Sequence, residues 1–333
     1  MKKPALLAVV AALSLLALPA LAQEVQVKLG TLAPVGSTWH ELLKELAERW
    51  AQASGGKVKL RVYAGGTQGN EGEMIRKMGV GQLQGAAVTS VGLHDVIAEP
   101  QALATPVMFD SPEEAQAVLS KLEPRLDALL EKKGYVALTW GVLGAIKLFC
   151  TKPYRTPAEA AGAKLFVWEG DPGSVQAWKA AGFTPVVLSS TDVVTSLQTG
   201  MVSCIPNIPL YVLTARLFEK ASYMIDVPWG WLVGATVVRK DAWEKIPADL
   251  RPQLAEIARE LGKKVDVEVA RLNTDAVAAM KKQGLNVVEV DQAVWRGMAE
   301  KSWPVVRGRV VPEAFFDEVK ALRDAGRAAP KKK

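Results

Sequence analysis

The chain has 333 residues, which is enough for two domains and a large core, and its 49% apolar and 23% charged residues are ordinary for a globular protein. The formal net charge is +6, but removing Lys2 and Lys3 leaves +4, and the lysines at 331–333 supply three of those charges. The rest of the chain is close to neutral and has no run of Lys and Arg on a predicted element, which argues against a nucleic-acid partner.

The first 22 residues have the pattern of an export signal rather than of a folded element. Lys2 and Lys3 precede an apolar run at residues 5–18, and Ala20-Leu21-Ala22 is typical of a cleavage site. We therefore expect cleavage between Ala22 and Gln23 and a mature protein in the periplasm. No later segment reaches about 18 consecutive apolar residues, so we expect the mature chain to be soluble.

The next part of the chain alternates strands with amphipathic helices. Strands are predicted at residues 25–29, 58–63 and 84–90. The β-α-β-α-β order favours parallel strands joined by right-handed crossovers. After a helix that Ser111 caps, strands at residues 135–140 and 145–151 are expected to cross between two lobes.

Residues 162–209 repeat the same order of elements. Strands are predicted at residues 164–168, 184–188 and 201–205, with a helix in each interval. Ligands of parallel α/β sheets bind beyond the carboxyl ends of the strands. Phe166, Trp168 and Asn207 lie at or just past such ends, so we expect them to line a ligand site.

Three further tryptophans are candidates for the same site. Residues 228–231 read Pro-Trp-Gly-Trp and are predicted to form a loop between strands at residues 222–227 and 234–239. Such a loop presents aromatic rings to a cleft, which makes Trp229 and Trp231 candidates. Trp39, which follows the first predicted turn, is a candidate as well.

The longest helix is predicted over residues 247–282, where apolar residues recur every three or four positions. Its length of roughly 50 Å exceeds the width of one lobe, so we expect it to brace both. We assign residues 23–144 and about 230–272 to lobe I, and residues 145–229 and about 273–325 to lobe II. Residues 326–333 are predicted to form a basic tail.

Cys150 and Cys204 are the only cysteines in the chain. In an oxidising compartment this even count permits one disulfide, and the alternative is two buried thiols. His40 and His94 are far in sequence from both cysteines, so no metal-ligand cluster is predicted. We expect neither a metal nor a cofactor.

Several segments together resemble a known family. They are LAPVGSTWHE, SGGKVKLRVYAGGTQGNE, GAKLFV and AGFTPVVLSSTDVVTSLQTGMVSCIPN, in that order. The chain is similar to periplasmic receptors of tripartite ATP-independent periplasmic (TRAP) transporters, of the C4-dicarboxylate-receptor (DctP-like) type, over nearly all of residues 25–300. The resemblance implies a two-lobed α/β periplasmic-binding-protein fold, closure on a small-molecule ligand, delivery to membrane permease subunits and a monomeric state.

The sequence departs from this family where the ligand is expected. Phe166 stands at the position of the family's carboxylate-binding arginine, and Ile146 at that of a second arginine. Of the family's V-D-G-x-E-N segment only Asn207 remains, and Trp229 replaces a residue that is often polar. Neither Phe166 nor Ile146 can pair with a carboxylate, and strand alternation places Lys147 on the face opposite Ile146. The sequence therefore predicts an atypical branch with an apolar or amphipathic ligand.

Two other classes of function were weighed against a transport receptor. An exported enzyme is disfavoured because no nucleophile elbow, H-E-x-x-H motif or phosphate-binding loop is present. A lipid carrier or ligand-sensing subunit that is not tied to uptake would share the fold and the apolar cleft, and it remains the alternative.

Overall fold

The computed structural model describes residues 24–169 and 171–329. The expected signal peptide at residues 1–22 and residues 330–333 of the expected tail lie outside these ranges. Within them, no helix combines the length and the apolarity that are needed to cross a bilayer.

Strands and helices alternate along the described chain. The strands are β1 Val25–Thr31, β2 Val58–Tyr63, β3 Gly85–Thr89, β4 Tyr135–Cys150, β5 Lys164–Trp168, β6 Thr184–Leu188, β7 Cys204–Asn207, β8 Tyr223–Arg239 and β9 Asn286–Val288. The α-helices are α1 Thr38–Ala53, α2 Glu71–Gly79, α3 Ser90–Leu93, α4 Pro112–Lys132, α5 Pro157–Ala160, α6 Pro172–Ala180, α7 Val193–Gln198, α8 Pro209–Thr214, α9 Lys240–Glu244, α10 Arg251–Lys282, α11 Gln292–Glu300, α12 Trp303–Val305 and α13 Glu313–Ala328. Short 3-10 helices lie at Glu99–Ala104, Ser190–Asp192 and Leu217–Glu219.

The strands form one sheet in the order β2-β1-β3-β8-β4-β7-β5-β6, with β9 paired to β8. β1 pairs in parallel with β2 and β3, and β5 pairs in parallel with β6 and β7, as the crossover pattern predicts. Between these two sets, β4 and β8 run antiparallel to each other. The predicted α/β class, with a central sheet flanked by helices, is confirmed.

β4 and β8 are each continuous, although the sequence indicated two strands with a break in both places. Register shifts between Ala137 and Thr139, between Val142 and Gly144, and between Ile146 and Leu148 let β4 bend without ending. The predicted loop at residues 228–231 is wrong, because these residues lie within β8. The predicted lobe boundaries at residues 144/145 and 229/230 fall inside β4 and β8 and stay a prediction.

The long helix α10 spans 32 residues, or about 48 Å. It packs against α1 in lobe I, against α8 in lobe II, and against β4 between them. Asn273 on this helix donates to the carbonyl oxygens of Val269 and Leu143 and accepts from the amide of Leu210. The helix therefore touches both lobes, as a brace would.

The last helix, α13, reaches Ala328, so the expectation of a tail from residue 326 is wrong for residues 326–328. Phe315, Phe316 and Val319 bury one face of α13 in the hydrophobic cluster that also contains Leu119 and Leu122 of α4. A helix with such an apolar face is stabilised by packing up to its end, and this outweighs the basic composition that follows.

Candidate functional site

A cavity of about 290 Å³ lies between the lobes, at the carboxyl ends of the parallel strands. Thr31 and Thr89 reach it from the ends of β1 and β3, and Trp168 and Asn207 reach it from the ends of β5 and β7. Six of the seven predicted ligand residues line it: Trp39, Ile146, Phe166, Trp168, Asn207 and Trp229. The cavity therefore lies at the edge of the sheet where the strand order places it.

Aromatic rings form the wall that lobe II contributes. Phe166 is only 1% exposed, and its ring meets Trp168 edge-on with 5.1 Å between the centroids. Trp168 meets Tyr211 in the same manner at 6.4 Å. Phe166 and Trp168 are two residues apart on β5 and therefore face the same side.

Trp229 lines the cavity from within the packed core. Its indole stacks on that of Trp178 with 4.4 Å between the centroids, and Phe183 packs edge-on against it. The amide of Val107 donates to the carbonyl of Trp229 at 2.7 Å. Trp229 is thus a buried side chain with an edge on the cavity, and not the exposed loop residue that the sequence indicated.

Trp231 is not among the residues that line the cavity. Its Nε1 donates to the carbonyl of Phe109 at 3.0 Å, and the indole packs in the core of lobe I. A Cβ atom at Gly230 would lie 2.8 Å from the carbonyl oxygen of Ala104, so the glycine allows a close approach between backbones and does not mark a turn. The predicted placement of Trp231 at the cleft rested on that turn and is wrong.

Asn207 and Trp39 both reach the cavity, with different surroundings. The Asn207 side chain accepts from the amide of Ile208 at 2.8 Å, so it holds the turn between two prolines as well as facing the cavity. Trp39 lies in the first turn of α1. Its Nε1 is buried and has no hydrogen-bond partner among the described residues.

Glu71 is a buried carboxyl on the cavity wall. In the sequence it stands in the glycine-rich turn at residues 65–72, a setting that favours exposure to solvent and leaves contact with a polar part of the ligand as the alternative. In the structure the residue is 7% exposed. It accepts from the Thr89 amide at 2.9 Å, from the Thr89 hydroxyl at 2.6 Å and from the Gly92 amide at 3.0 Å. Burial raises the pKa of Glu71, and these hydrogen bonds oppose that effect only in part.

Gly92 is the one feature of the sequence that is consistent with the burial of Glu71, because a side chain at position 92 would collide with it. A Cβ atom there would lie 2.6 Å from the Cβ of Glu71.

Tyr211 faces the cavity from lobe II, and its pKa is raised by burial and by the nearby negative charge of Glu71. Glu71 and Tyr211 therefore bring polar groups to the cavity from opposite lobes.

Gln101, Thr105 and Asp171 also line the cavity and were missed. Asp171 caps α6 by accepting from the Ser174 amide at 3.0 Å and from its hydroxyl. The Gln101 amide nitrogen donates to Asp171 at 3.4 Å and so links the two lobes. Gln101 lies in the short 3-10 helix Glu99–Ala104, where no periodic pattern in the sequence indicates which side chains face the cavity.

The charge on the cavity wall has one sign. Among the lining residues that the structure describes are two carboxyls, Glu71 and Asp171, and no Lys, Arg or His. Lys147 is bound to Asp226 at 2.8 Å, away from this wall, as strand alternation indicates. No group of metal-ligating side chains occurs within residues 24–169 and 171–329. The wall thus offers a carboxylate ligand no charge partner.

Cys150 and Cys204 are joined by a disulfide with an S–S distance of 2.05 Å. They form a directly opposed pair on β4 and β7, so the bond lies within the sheet of lobe II. Of the two possibilities left open by the sequence, the structure has the disulfide.

Comparison with solved structures places the fold. A TRAP periplasmic solute-binding protein from Desulfovibrio salexigens, with bound orotic acid, has a TM-score of 0.84 at 19% identity, over 92% of this chain and 99% of that one. One from Roseobacter denitrificans, with bound L-galactonate, has a TM-score of 0.82 at 22% identity, over 90% of this chain and 99% of that one. At these identities the likeness concerns the fold alone.

Sequence comparison extends along most of the chain. A solute-binding protein of Roseobacter denitrificans is 26% identical over 290 residues, which are 84% of this chain and 86% of that protein. The C4-dicarboxylate-binding periplasmic protein DctP of Rhodobacter capsulatus is 26% identical over 283 residues, 82% of this chain and 83% of that protein. The profile of the DctP family, described as "Bacterial extracellular solute-binding protein, family 7", matches residues 29–309. The chain belongs to this family of bacterial extracellular solute-binding proteins, whose members are receptors and not enzymes.

Proposed function

We propose that this receptor binds an apolar or amphipathic ligand rather than a small dicarboxylate, and delivers it to the membrane permease subunits of a TRAP transporter. It acts in the periplasm after removal of a signal peptide between Ala22 and Gln23. The observation that carries the proposal is the cavity wall, which is mainly apolar and aromatic and whose described residues include no cation.

Desolvation disfavours a carboxylate in this cavity. A carboxylate that leaves water for this cavity loses its hydration, and beside Phe166 and Ile146 it gains no charged partner. Such a transfer costs several kcal/mol, whereas an apolar group gains roughly 25 cal/mol for each Å² that it buries. The free energy therefore favours an apolar ligand.

Relatives with this fold bind acids, such as L-galactonate in the Roseobacter denitrificans protein. In the present chain Phe166 and Ile146 stand where the resemblance expects arginines, and Lys147 is already bound to Asp226. These differences support a change of ligand class within an unchanged fold.

Closure on the ligand is supported by contacts between the lobes. Asn70 Nδ2 donates to Glu169 Oε2 at 3.2 Å, and Gln101 Nε2 donates to Asp171 Oδ1 at 3.4 Å. The only sheet connections between the two parallel strand sets run through β4 and β8 in the described chain. Bending of these two strands is the proposed hinge.

The proposal is tested by native mass spectrometry of the purified mature protein, followed by denaturing extraction of the bound molecule. A co-purified lipid, sterol-like or aromatic compound is expected. An empty protein that small dicarboxylates stabilise in a thermal-shift assay would contradict the apolar ligand.

The same cavity would serve a lipid carrier or a sensing subunit. Uptake of the extracted compound by vesicles that contain the permease subunits separates the two. Uptake that depends on this chain is expected for the receptor, and uptake that is unchanged without it would favour the carrier.

A further inference from the structure

The two lobes give the cavity walls of different chemistry. Lobe II contributes the rings of Phe166, Trp168 and Tyr211, whereas lobe I contributes the polar side chains of Glu71, Gln101 and Thr105. Gln101 is 7% exposed and Thr105 is 1% exposed. A ligand between these walls meets an aromatic surface on one side and side-chain oxygen atoms on the other.

The orientation of Gln101 is fixed by its neighbour. A carboxylate can only accept hydrogen bonds, so the amide nitrogen of Gln101 points to Asp171 and the amide oxygen points elsewhere. This oxygen has no hydrogen-bond partner among the described residues, and neither have the hydroxyl of Thr105 and Nε1 of Trp39, which also line the cavity. Buried polar atoms are nearly always paired, so these atoms indicate a missing partner. The Gln101 oxygen can only accept a hydrogen bond, the Thr105 hydroxyl can accept or donate, and the Trp39 nitrogen can only donate.

We infer that the ligand presents a hydrogen-bond donor without negative charge, a hydroxyl or an amine, to Gln101 Oε1 and Thr105 Oγ1, and packs its apolar part against the aromatic wall of lobe II. This inference rests on the proposed apolar ligand and narrows its polar group. A carboxylate could accept from the Thr105 hydroxyl or from Trp39 Nε1, but it has no proton to give to Gln101 Oε1 and would lie near Glu71 and Asp171.

Three eight-carbon probes with different head groups test the inference: octanol, octylamine and octanoate. Their affinities for the delipidated mature protein are measured by calorimetry at neutral pH. Octanol, octylamine or both should bind roughly tenfold more tightly than octanoate, because only the carboxylate leaves Gln101 Oε1 unpaired and buries a negative charge near Glu71 and Asp171.

Variants then locate the polar contact. Thr105→Val preserves the shape of the side chain and removes the hydroxyl, and Gln101→Met removes the amide. Each should weaken the binding of the preferred probe about fivefold, the usual effect of one lost hydrogen bond. Gln101→Met should leave octanoate binding unchanged, because a carboxylate has no proton to give to the Gln101 oxygen. Thr105→Val suffices if Gln101→Met fails to fold.

Gln116 provides a matched control. Its Oε1 is also buried without a partner among the described residues, but it lies on α4 and does not line the cavity. Gln116→Met should leave all three affinities unchanged.

The remaining outcomes overturn the inference in distinguishable ways. Equal binding of the three probes, with no effect of either variant, would overturn it and leave the apolar ligand standing. Tightest binding of octanoate, or no binding of any probe, would overturn the apolar ligand as well.

Discussion

In the proposed function, Phe166 is the residue that separates this cavity from one built for carboxylates. A Phe166→Arg variant would place a guanidinium in an apolar wall, and we expect the free energy of unfolding to fall by about 3–5 kcal/mol because the charge is buried without a partner. Succinate should restore part of this loss in a thermal-shift assay, since a carboxylate can pair with the guanidinium fork. The unsubstituted protein should not respond.

Phe166→Leu is the control for this variant, because it changes the packing but adds no charge. If it responded to succinate as the arginine variant does, the effect would lie in the altered shape of the cavity. A failure of succinate to stabilise Phe166→Arg would mean that the position does not direct ligand charge.

Glu71 makes folding stability depend on pH. Burial raises its pKa above the ordinary value of 4.5, so the folded state holds the proton more tightly than the unfolded state does. The contribution of Glu71 to stability is therefore largest in acid and declines as the pH rises above about 4.5. Urea titrations give the free energy of unfolding of the natural chain and of Glu71→Gln at each pH. The difference between the two proteins isolates the pH dependence that Glu71 contributes, because the other carboxyls contribute equally to both. A difference that does not vary with pH would contradict the raised pKa.

At the scale of elements, the disulfide connects β4 to β7 across 54 residues of sequence. Loop-closure arguments give such a bond about 4 kcal/mol of stabilisation. A Cys150→Ala/Cys204→Ala variant should lose about that free energy of unfolding in a denaturant titration. Unchanged stability, together with two free thiols in the natural protein, would contradict a role for the bond.

The elements that could be predicted are those with a periodic pattern. β2, β5 and β6 match their predicted bounds, and α10 begins within a few residues of its prediction, because alternation and helical spacing record which face is buried. β4 and β8 were each divided because their glycines resemble breaks. In the structure Gly144 makes room for Asn273, and Gly230 makes room for the Ala104 carbonyl, which are contacts with distant parts of the chain. A single sequence carries no signal for such contacts.

The cavity residues that could be predicted are those at the ends of periodic strands. The strand ends led to Phe166 and Asn207, whereas Trp231 was misplaced together with its supposed loop. Glu71 and Gln101 depend on partners 18 and 70 residues away. Their burial follows from tertiary packing, and a turn-rich or 3-10 segment does not display it in the sequence.

At the scale of the molecule, the two lobes are connected by strands that can bend and by a few hydrogen bonds across the cleft. Glu169 is exposed and accepts from Asn70 on the other lobe. In Glu169→Ala the closed form should lose this bond, and the affinity for the extracted ligand should fall by a factor of about 2–10, the range for one net hydrogen bond. Folding stability should not change, because the bond joins lobes that are each packed on their own cores.

Glu159 is the matched control, since it is also an exposed glutamate of lobe II, but among the described residues its side chain accepts only from the nearby Arg155 amide. Glu159→Ala should leave the affinity unchanged. Small-angle scattering of both variants, with and without ligand, reports closure directly. At a ligand concentration that closes the natural protein, Glu169→Ala is expected to have a larger radius of gyration than the natural protein. Equal affinity and equal dimensions in the two variants would mean that the contact between Asn70 and Glu169 does not contribute to closure.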